Sequence, residues 1–128
     1  MSLLDMTTPG NAGWIDHAGP DQSAAKAFYA EVLGWNITDM PMQDGSSYSA
    51  VAIGETTIGG FSPVPAEQGG WTIYFTVPDV DASVAEASSR GATVVTPPGD
   101  VPGVGRMATL TDPQGARFAL ITYESMMA

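Results

Sequence analysis

Apolar and polar residues alternate with a period of two along most of this chain, and a period near 3.6 replaces the alternation in two stretches. The first helical stretch covers residues 23–33, and the second follows Asp79. Asp21 and Asp79 are expected to cap the two helices, because an aspartate side chain accepts hydrogen bonds from the unpaired N–H groups of a first helical turn. Gly34 is expected to end the first helix in a left-handed conformation.

The apolar residues at helical spacing predict which side of each helix packs on a sheet. In the first helix they are Ala25, Phe28, Val32 and also Tyr29; in the second they are Val80, Val84, Ala87 and Gly91.

The alternating stretches predict eight strands separated by glycine- and proline-rich turns. Their expected ranges are 13–17, 35–39, 46–53, 56–62, 71–77, 92–95, 106–111 and 116–123. A turn is expected at Gln43-Asp44-Gly45 and a loop at 97–105.

The order strand, helix and three strands therefore occurs twice, which indicates an internal βαβββ repeat. We expect one domain over residues 1–128, with module one at about 13–62, a linker at 63–70 and module two at about 71–124. The predicted fold class is α+β: the two modules form a curved antiparallel sheet with helices outside and a concave face, which is the natural ligand site.

The hairpin near the C-terminus is the clearest local pattern in the chain. Asp112-Pro113-Gln114-Gly115 has proline to set φ and glycine to take a positive φ, which predicts a turn between two strands. On the second strand Phe118 and Leu120 are expected to share the apolar face, which leaves Ala119 on the other face.

Charge and composition narrow the possible partners. Fourteen acidic residues against four basic ones give a net charge of −10, which argues against nucleic acid and anionic membranes as partners. The charge would attract a cationic small molecule; the alternative is that it serves only to keep the protein in solution. The chain has no cysteine, so disulfides and thiolate metal sites are excluded. No apolar run is long enough for a membrane span, and the N-terminal residues lack the features of a signal peptide, so we expect a cytoplasmic protein.

Three segments together resemble one superfamily: PDQSAAKAFYAEVLGW (20–35), FTVPDVDASVAEASSRGA (75–92) and LTDPQGARFALI (110–121). In this order they are similar to the vicinal oxygen chelate superfamily, the glyoxalase/bleomycin-resistance/dioxygenase fold, and to its single-domain members common in actinobacteria. The resemblance implies paired βαβββ modules and a homodimer, with modules exchanged between chains in some members.

In metal-dependent members of that superfamily, four strands each supply one ligand. Aligned on the helix and hairpin motifs, those positions fall at Trp14, Gly59, Thr72 and Ala119, none of which is a metal ligand. A gap in the first strand could instead bring Asp16 or His17 into register. The resemblance with these substitutions implies a metal-independent protein without a cofactor.

Strand alternation predicts an aromatic and apolar concave face with small residues on its floor. The candidate ligand-binding residues are Trp14, Asp16, Tyr48, Phe61, Thr72, Tyr74, Met107 and Ala119, with Gly59 as a further floor position. Such a face suits a flat, apolar or cationic ligand. The same rings could instead fill the sheet or form a dimer interface.

Asp16 and Tyr74 are the candidate catalytic residues, since Asp16 would act as a general base if an apolar pocket raised its pKa. His17 is expected to point to the helix side, as a hydrogen-bonded core or rim residue rather than a catalytic base. We interpret Gly59-Gly60 as glycines of a turn, bulge or linker, and not as a phosphate-binding loop.

The leading hypothesis is a metal-independent protein that binds a small molecule and resembles the bleomycin-resistance type, which sequesters a cationic antibiotic. The alternative is a glyoxalase-, dioxygenase- or isomerase-like enzyme with non-standard site residues. A third possibility is an interaction module whose aromatic face is buried in a dimer.

Overall fold

The computed structural model describes residues 6–42, 45 and 47–126. Within that part the chain forms two α-helices, eight strands and a short 3₁₀ helix, which confirms the α+β class. In chain order they are β1 (Ala12–Ala18), α1 (Gln22–Leu33), β2 (Asn36–Pro41), β3 (Ser47–Ile53), β4 (Thr56–Phe61), β5 (Gly70–Thr76), α2 (Val80–Ser89), β6 (Thr93–Val101), β7 (Gly105–Thr111), β8 (Arg117–Tyr123) and the 3₁₀ helix Glu124–Met126. The predicted turn at 43–45 lies largely outside the described residues. Neither helix of the described part is long and apolar enough to cross a membrane.

The described residues form two compact units, 15–71 and 72–126 together with 6–14. From here on, module one and module two denote these two observed units, whose bounds differ from the predicted ones. In module one the strand order is β2-β3-β4-β1, and in module two it is β5-β8-β7-β6. Neighbouring strands are antiparallel except β1 with β4 and β5 with β8, which are parallel. The predicted repeat is therefore present, and each module carries a mixed sheet because its first strand pairs in parallel with its last.

Both helices begin as the aspartates predict. Asp21 Oδ1 accepts a hydrogen bond from the Ala24 amide at 3.1 Å, and Asp79 Oδ1 accepts one from the Ala82 amide at 3.2 Å. Helix α1 ends at Gly34, whose φ of 70° is the left-handed conformation that glycine adopts without strain.

Module two has the apolar core that its helix pattern predicts. Val80 and Val84 of α2 are buried against Leu110 of β7 and Leu120 of β8. Phe118 packs at the edge of this cluster and shares its side of β8 with Leu120, as expected. Burial of these side chains supplies the hydrophobic stabilisation of module two.

Helix α1 of module one packs differently from its predicted stripe. None of its residues is fully buried, and Phe28 and Val32 are 58% and 60% exposed. The predicted stripe of Ala25, Phe28 and Val32 is thus wrong for these two residues. The helix instead contacts its sheet through Gln22, Lys26 and Tyr29, which make the hydrogen bonds and ring contacts described below.

Strand β6 is longer than the sequence predicts, because it continues through much of the expected loop at 97–105. Its pairing with β7 shifts register between Val94 and Thr96 and again between Thr96 and Gly99. The two prolines of this segment lie inside the second shift, where the ladder does not need their missing N–H groups. The hairpin that follows is confirmed: Asp112 Oδ1 accepts from the amides of Gln114 and Ala116, and Gly115 has a φ of 91°.

Candidate functional site

Two polar side chains of module one meet on the face of its sheet that points away from α1. Asp16 lies in β1 and Tyr48 in β3, and the Tyr48 hydroxyl donates a hydrogen bond to Asp16 Oδ1 at 2.8 Å. Strand β4 runs between them, with Gly60 in register with Asp16. The tyrosine side chain therefore crosses a whole strand to reach the carboxylate.

Gly60 leaves the space that this crossing needs. A β-carbon built on Gly60 would lie 2.2 Å from Tyr48 Cε2 and 2.4 Å from the Tyr48 hydroxyl oxygen. Real β-carbons do not approach ring atoms so closely, so the phenol lies directly on the Gly60 backbone. Gly60 is not among the glycines with positive φ, so its backbone conformation alone does not require glycine.

The environment of Asp16 changes its acidity. Burial raises the pKa of the Asp16 carboxyl from 3.8 to about 6, against smaller opposing effects of the Tyr48 hydrogen bond and the neighbouring His17. A carboxyl with this pKa exchanges protons near neutral pH, which is the property required of a general base and of a switchable anion.

The opposite face of the same sheet holds an aromatic cluster around His17. The imidazole is 8% exposed, and its centroid lies 5.0 Å from Trp71, 5.2 Å from Phe61 and 5.7 Å from Tyr29. Such ring pairs stabilise a core beyond simple area burial. His17 is therefore a core histidine on the helix side, in agreement with the sequence prediction.

Gln22 fixes the tautomer of His17. The Gln22 amide nitrogen donates to the carbonyl oxygens of His17 at 2.8 Å and Ser62 at 3.0 Å, so its oxygen is left to accept from His17 Nδ1 at 2.9 Å. The His17 proton is thus on Nδ1 in the neutral ring. This set of bonds ties the start of α1 to the ends of β1 and β4.

A cleft of about 240 Å³ opens on the helix side of module one, between α1 and strands β2 and β3. Inside it the Lys26 ammonium donates to Ser49 Oγ at 3.0 Å, and Ser49 Oγ donates to Asp39 Oδ1 at 2.5 Å. The Ser49 bond, and then the Lys26 charge, lower the pKa of Asp39. Because the lysine and the aspartate neutralise each other, this cleft presents no uncompensated charge to a ligand.

Three predictions about strand β4 of module one need correction. Phe61 was expected on the same face as Tyr48, but its pairing with Ser49 and its contacts with His17 place it on the helix side. Gly59 was expected on the ligand face, but it is in register with Ile15, and the glycine beside Asp16 is Gly60. Of the three readings of Gly59-Gly60, turn and linker are wrong, since both glycines are paired strand residues. A bulge or irregularity does lie next to Gly59, where the pairing of β3 with β4 shifts register after Val51.

In module two the predicted residues do share the face opposite the apolar cluster. Ala119 is in register with Tyr74 on one side and Thr109 on the other, while Leu120 and Phe75 point to the α2 side. Met107 lies two residues before Thr109 in β7, and Thr72 lies two residues before Tyr74 in β5. Both side chains therefore lie on this same face. Trp14 also belongs to module two.

The residues at the expected metal positions do not fit a divalent ion. An indole at Trp14, a neutral hydroxyl at Thr72 and a methyl group at Ala119 provide no charged or imidazole ligand. Throughout residues 6–42, 45 and 47–126 there is no cluster of three or more histidine, cysteine, aspartate or glutamate residues that could hold a metal. On the face of module one that points away from α1, Asp16 provides a carboxylate, and Tyr48 is its hydrogen-bond partner.

Sequence reasoning missed Gly60 and Gln22. A glycine pair within an alternating strand is a signal of close backbone approach, which Gly60 shows. Gln22 follows the N-cap directly, a position where surface exposure is the ordinary expectation, and no sequence pattern links it to His17.

The fold and the site together define an α+β protein of two βαβββ modules with a candidate small-molecule site on one sheet face. Residues 14–121 match the glyoxalase-like domain family, and the chain belongs to that family. The expected superfamily is thereby confirmed.

Two curated relatives are similar to the chain over most of its length. CFP32 of Mycobacterium tuberculosis, whose name assigns it provisionally to the glyoxylases, is 36% identical over 114 residues, which cover 88% of this chain and 44% of the relative. The anthracycline biosynthesis protein DnrV of Streptomyces peucetius is 34% identical over an alignment of 128 positions, which covers 88% of this chain and 46% of the relative. The chain thus spans about half the length of both.

Among solved structures, methylmalonyl-CoA epimerases have a similar fold. The Mycobacterium tuberculosis enzyme superposes with a TM-score of 0.60 at 17% identity, covering 94% of this chain and 91% of its own. A Streptomyces coelicolor epimerase variant in complex with 2-nitronate-propionyl-CoA gives a TM-score of 0.62 at 21% identity, covering 87% and 95%. At these identities the likeness concerns the fold.

Proposed function

We propose that this chain binds an aromatic small molecule that carries a basic amine, without a resident divalent metal, and that Asp16 receives the amine. The observation that carries this proposal is the Asp16–Tyr48 pair, a partly buried carboxylate beside a phenol ring on the sheet face away from α1. The aromatic ring of Tyr48 and the net charge of −10 both favour a cation.

The name of DnrV, an anthracycline biosynthesis protein, supports the aromatic part of the proposal, since anthracyclines are aromatic compounds. Residues Trp14, Thr72, Tyr74, Met107 and Ala119 remain proposed ligand contacts. The Thr72, Tyr74, Met107 and Ala119 side chains would offer the ligand rings, hydroxyls and small apolar surface.

Fluorescence titration with an anthracycline that bears an amino sugar tests this function, with the aglycone, which lacks the amine, as the matched ligand. We expect the amine to improve binding about tenfold in the wild type, which corresponds to one charged hydrogen bond of about 1.4 kcal/mol. Asp16→Asn should remove that advantage, whereas Glu55→Gln, which removes the same charge in the exposed turn after β3, should keep it. Equal binding of both ligands by the wild type would contradict the role of Asp16.

Elemental analysis after incubation with Zn²⁺, Ni²⁺, Mn²⁺ or Fe²⁺ and dialysis tests the metal-independent part. We expect less than a tenth of an equivalent, on the order of background, because one carboxylate and neutral hydroxyls hold these ions weakly. One tightly held equivalent would overturn it.

A second candidate function is enzymatic, because burial places the pKa of Asp16 at about 6. In an adduct of glyoxal with a thiol, an ionised Asp16 would take the proton from the carbon that bears the hydroxyl and the sulfur, and return it to the neighbouring carbonyl carbon. The hydroxyl proton would pass to the former carbonyl oxygen, so that the first carbon becomes the carbonyl of a thioester. Tyr48 would hydrogen-bond the oxygen that gains charge. Turnover of adducts of glyoxal with thiols, lost in Asp16→Asn and retained in Glu55→Gln, would favour this candidate over simple binding.

We also infer that the two modules act as one domain in a cytoplasmic homodimer, as the superfamily resemblance implies. Sedimentation velocity should give the mass of two chains, and a monomer at micromolar concentration would contradict this inference.

A further inference from the structure

We propose that Gly60 is the positioning residue of the candidate site: its missing side chain lets the Tyr48 ring lie across β4, which places the hydroxyl on Asp16 and favours the ionised carboxylate that a basic ligand needs. This inference rests on the proposed function in taking Asp16 and Tyr48 as the site. It adds a residue that contacts no ligand and acts through Tyr48 alone.

The geometry gives Gly60 this role for one specific reason. Gly60 is paired in the middle of β4, with Asp16 in register on one side and Ala50 on the other. Glycine weakens a strand interior, and the backbone of Gly60 has no positive φ that would require it. What requires glycine is the ring, because a β-carbon would meet Tyr48 Cε2, Cζ and the hydroxyl oxygen at 2.2–2.4 Å.

Any side chain at this position must therefore push the ring off the strand. The hydroxyl would then leave Asp16, since it reaches the carboxylate only by crossing β4. Without that donor the ionised carboxylate loses the hydrogen bond that stabilises it. The pKa of Asp16 would rise above its value of about 6, because the Tyr48 bond opposes the effect of burial.

A larger protonated fraction of Asp16 at pH 7 would weaken recognition of an amine. The geometry of Gly60 thus determines the charge that the ligand meets. Gly59 cannot replace it in this role, since its neighbours are the backbone oxygen and side chain of Ile15 rather than Tyr48.

The test is a titration of the Asp16 carboxyl carbon by NMR in protein labelled at aspartate, without any ligand. In Gly60→Ala we expect the midpoint to rise by about one pH unit, and Tyr48→Phe should give a rise of similar size. Combining the two substitutions should add little beyond Tyr48→Phe, because both act through the same hydroxyl. Gly69→Ala, where an added β-carbon meets nothing within 4 Å, is the matched control and should leave the midpoint unchanged.

An unchanged Asp16 midpoint in Gly60→Ala would overturn the proposal, and so would a full further shift when Gly60→Ala is added to Tyr48→Phe. If Gly60→Ala alone folds poorly, the Tyr48→Ala background provides the answer. There the ring is absent, so Gly60→Ala should no longer lower the urea midpoint of unfolding. A loss of the same size in that background would mean that Gly60 serves the strand and not Tyr48. Because no ligand enters these measurements, their outcome is separate from that of the binding experiment.

Discussion

The two modules have the same order of elements and the same aspartate caps, yet their interiors differ. In module two, α2 packs on its sheet through Val80 and Val84, and the interface is apolar. In module one, α1 has no buried residue and meets its sheet through hydrogen bonds and ring contacts of Gln22, Lys26 and Tyr29. Polar interiors contribute less net stability than apolar ones but hold side chains in defined places.

The difference extends to the other face of each sheet. Module one carries the partly buried Asp16 with its raised pKa, whereas the matching face of module two carries the Ala119 methyl group in register with Tyr74 and Thr109. Module one thus combines a polar helix interface with a partly buried carboxylate, whereas module two has an apolar helix interface. The predictions that follow test this division, beginning with the largest effect.

Truncating the core of module two should be the most damaging change. Leu110 is completely buried in the apolar cluster, so Leu110→Ala should lower the free energy of unfolding by about 2–5 kcal/mol. Val32→Ala on exposed α1 is the contrasting variant in module one and should cost less than about 0.5 kcal/mol. Urea unfolding measures both, and equal costs would contradict the difference between the two interfaces.

In module one, the substitution that should most reduce the free energy of unfolding is removal of the Gln22 side chain. Gln22→Ala removes the partner of His17 Nδ1 and one donor each from the carbonyls of His17 and Ser62, although the His17 carbonyl still accepts from the Ser62 amide. The expected cost is about 1–3 kcal/mol. Urea unfolding gives the cost, and nitrogen shifts of the neutral His17 ring should show a mixture of the two tautomers in place of the Nδ1–H tautomer alone. A cost below about 0.5 kcal/mol would mean that the polar interface is incidental.

The raised pKa of Asp16 predicts a specific dependence of stability on pH. Its pKa is 3.8 in the unfolded chain and about 6 when folded, so between these values the native state binds more protons than the unfolded state. Ionisation of Asp16 therefore costs stability as pH rises through this window. Relative to the wild type, Asp16→Asn should gain about 1–3 kcal/mol between pH 4 and pH 7. The difference should be constant below about pH 3, where the carboxyl is protonated in both states.

This dependence is checked by urea unfolding of both proteins at a series of pH values. Asp16→Asn keeps an oxygen that can accept the Tyr48 hydrogen bond, so packing changes little. Glu55→Gln should show no such gain across the same range. A flat difference for Asp16→Asn would contradict the buried carboxylate.

The aspartate caps should give the smallest effects and should be alike in the two modules. Asp21→Ala and Asp79→Ala each remove one acceptor for an amide in the first helical turn, which costs about 1 kcal/mol. Thermal unfolding of the two variants side by side measures them. A much larger cost for Asp21 would show that module one depends on its helix start more than its exposed stripe indicates.

The features that could be predicted from sequence are those with a local cause. The caps at Asp21 and Asp79, the glycine end of α1 and the hairpin turn at Asp112–Gly115 each depend on a few neighbouring residues, and each is present. The apolar side of α2 could be predicted because Val80 and Val84 meet an apolar sheet.

The wrong predictions have two causes. In one, the sequence pattern does not show which face of the strand a residue lies on; in the other, the position of a side chain depends on residues far away in the sequence. Gly59 and Gly60 have no side chains, so the alternation around them could be shifted by one residue, and that shift moved Phe61 to the wrong face. The apolar stripe of α1 predicted that Phe28 and Val32 would face the sheet. The sheet instead presents Ser49, which pairs with Lys26, and His17, which contacts Gln22 and Tyr29. The Asp16–Tyr48 contact joins residues 32 positions apart in the sequence, and neither residue type by itself predicts that contact.

The central claim is that module one holds an unusual carboxyl group at Asp16 as the charged part of a ligand site. The most direct measurement is the titration of the Asp16 carboxyl carbon in the wild-type protein by NMR. We predict a midpoint of about 6, with the Tyr48 ring signals changing at the same pH. A midpoint near the ordinary value of 3.8, with no response of Tyr48, would contradict the account.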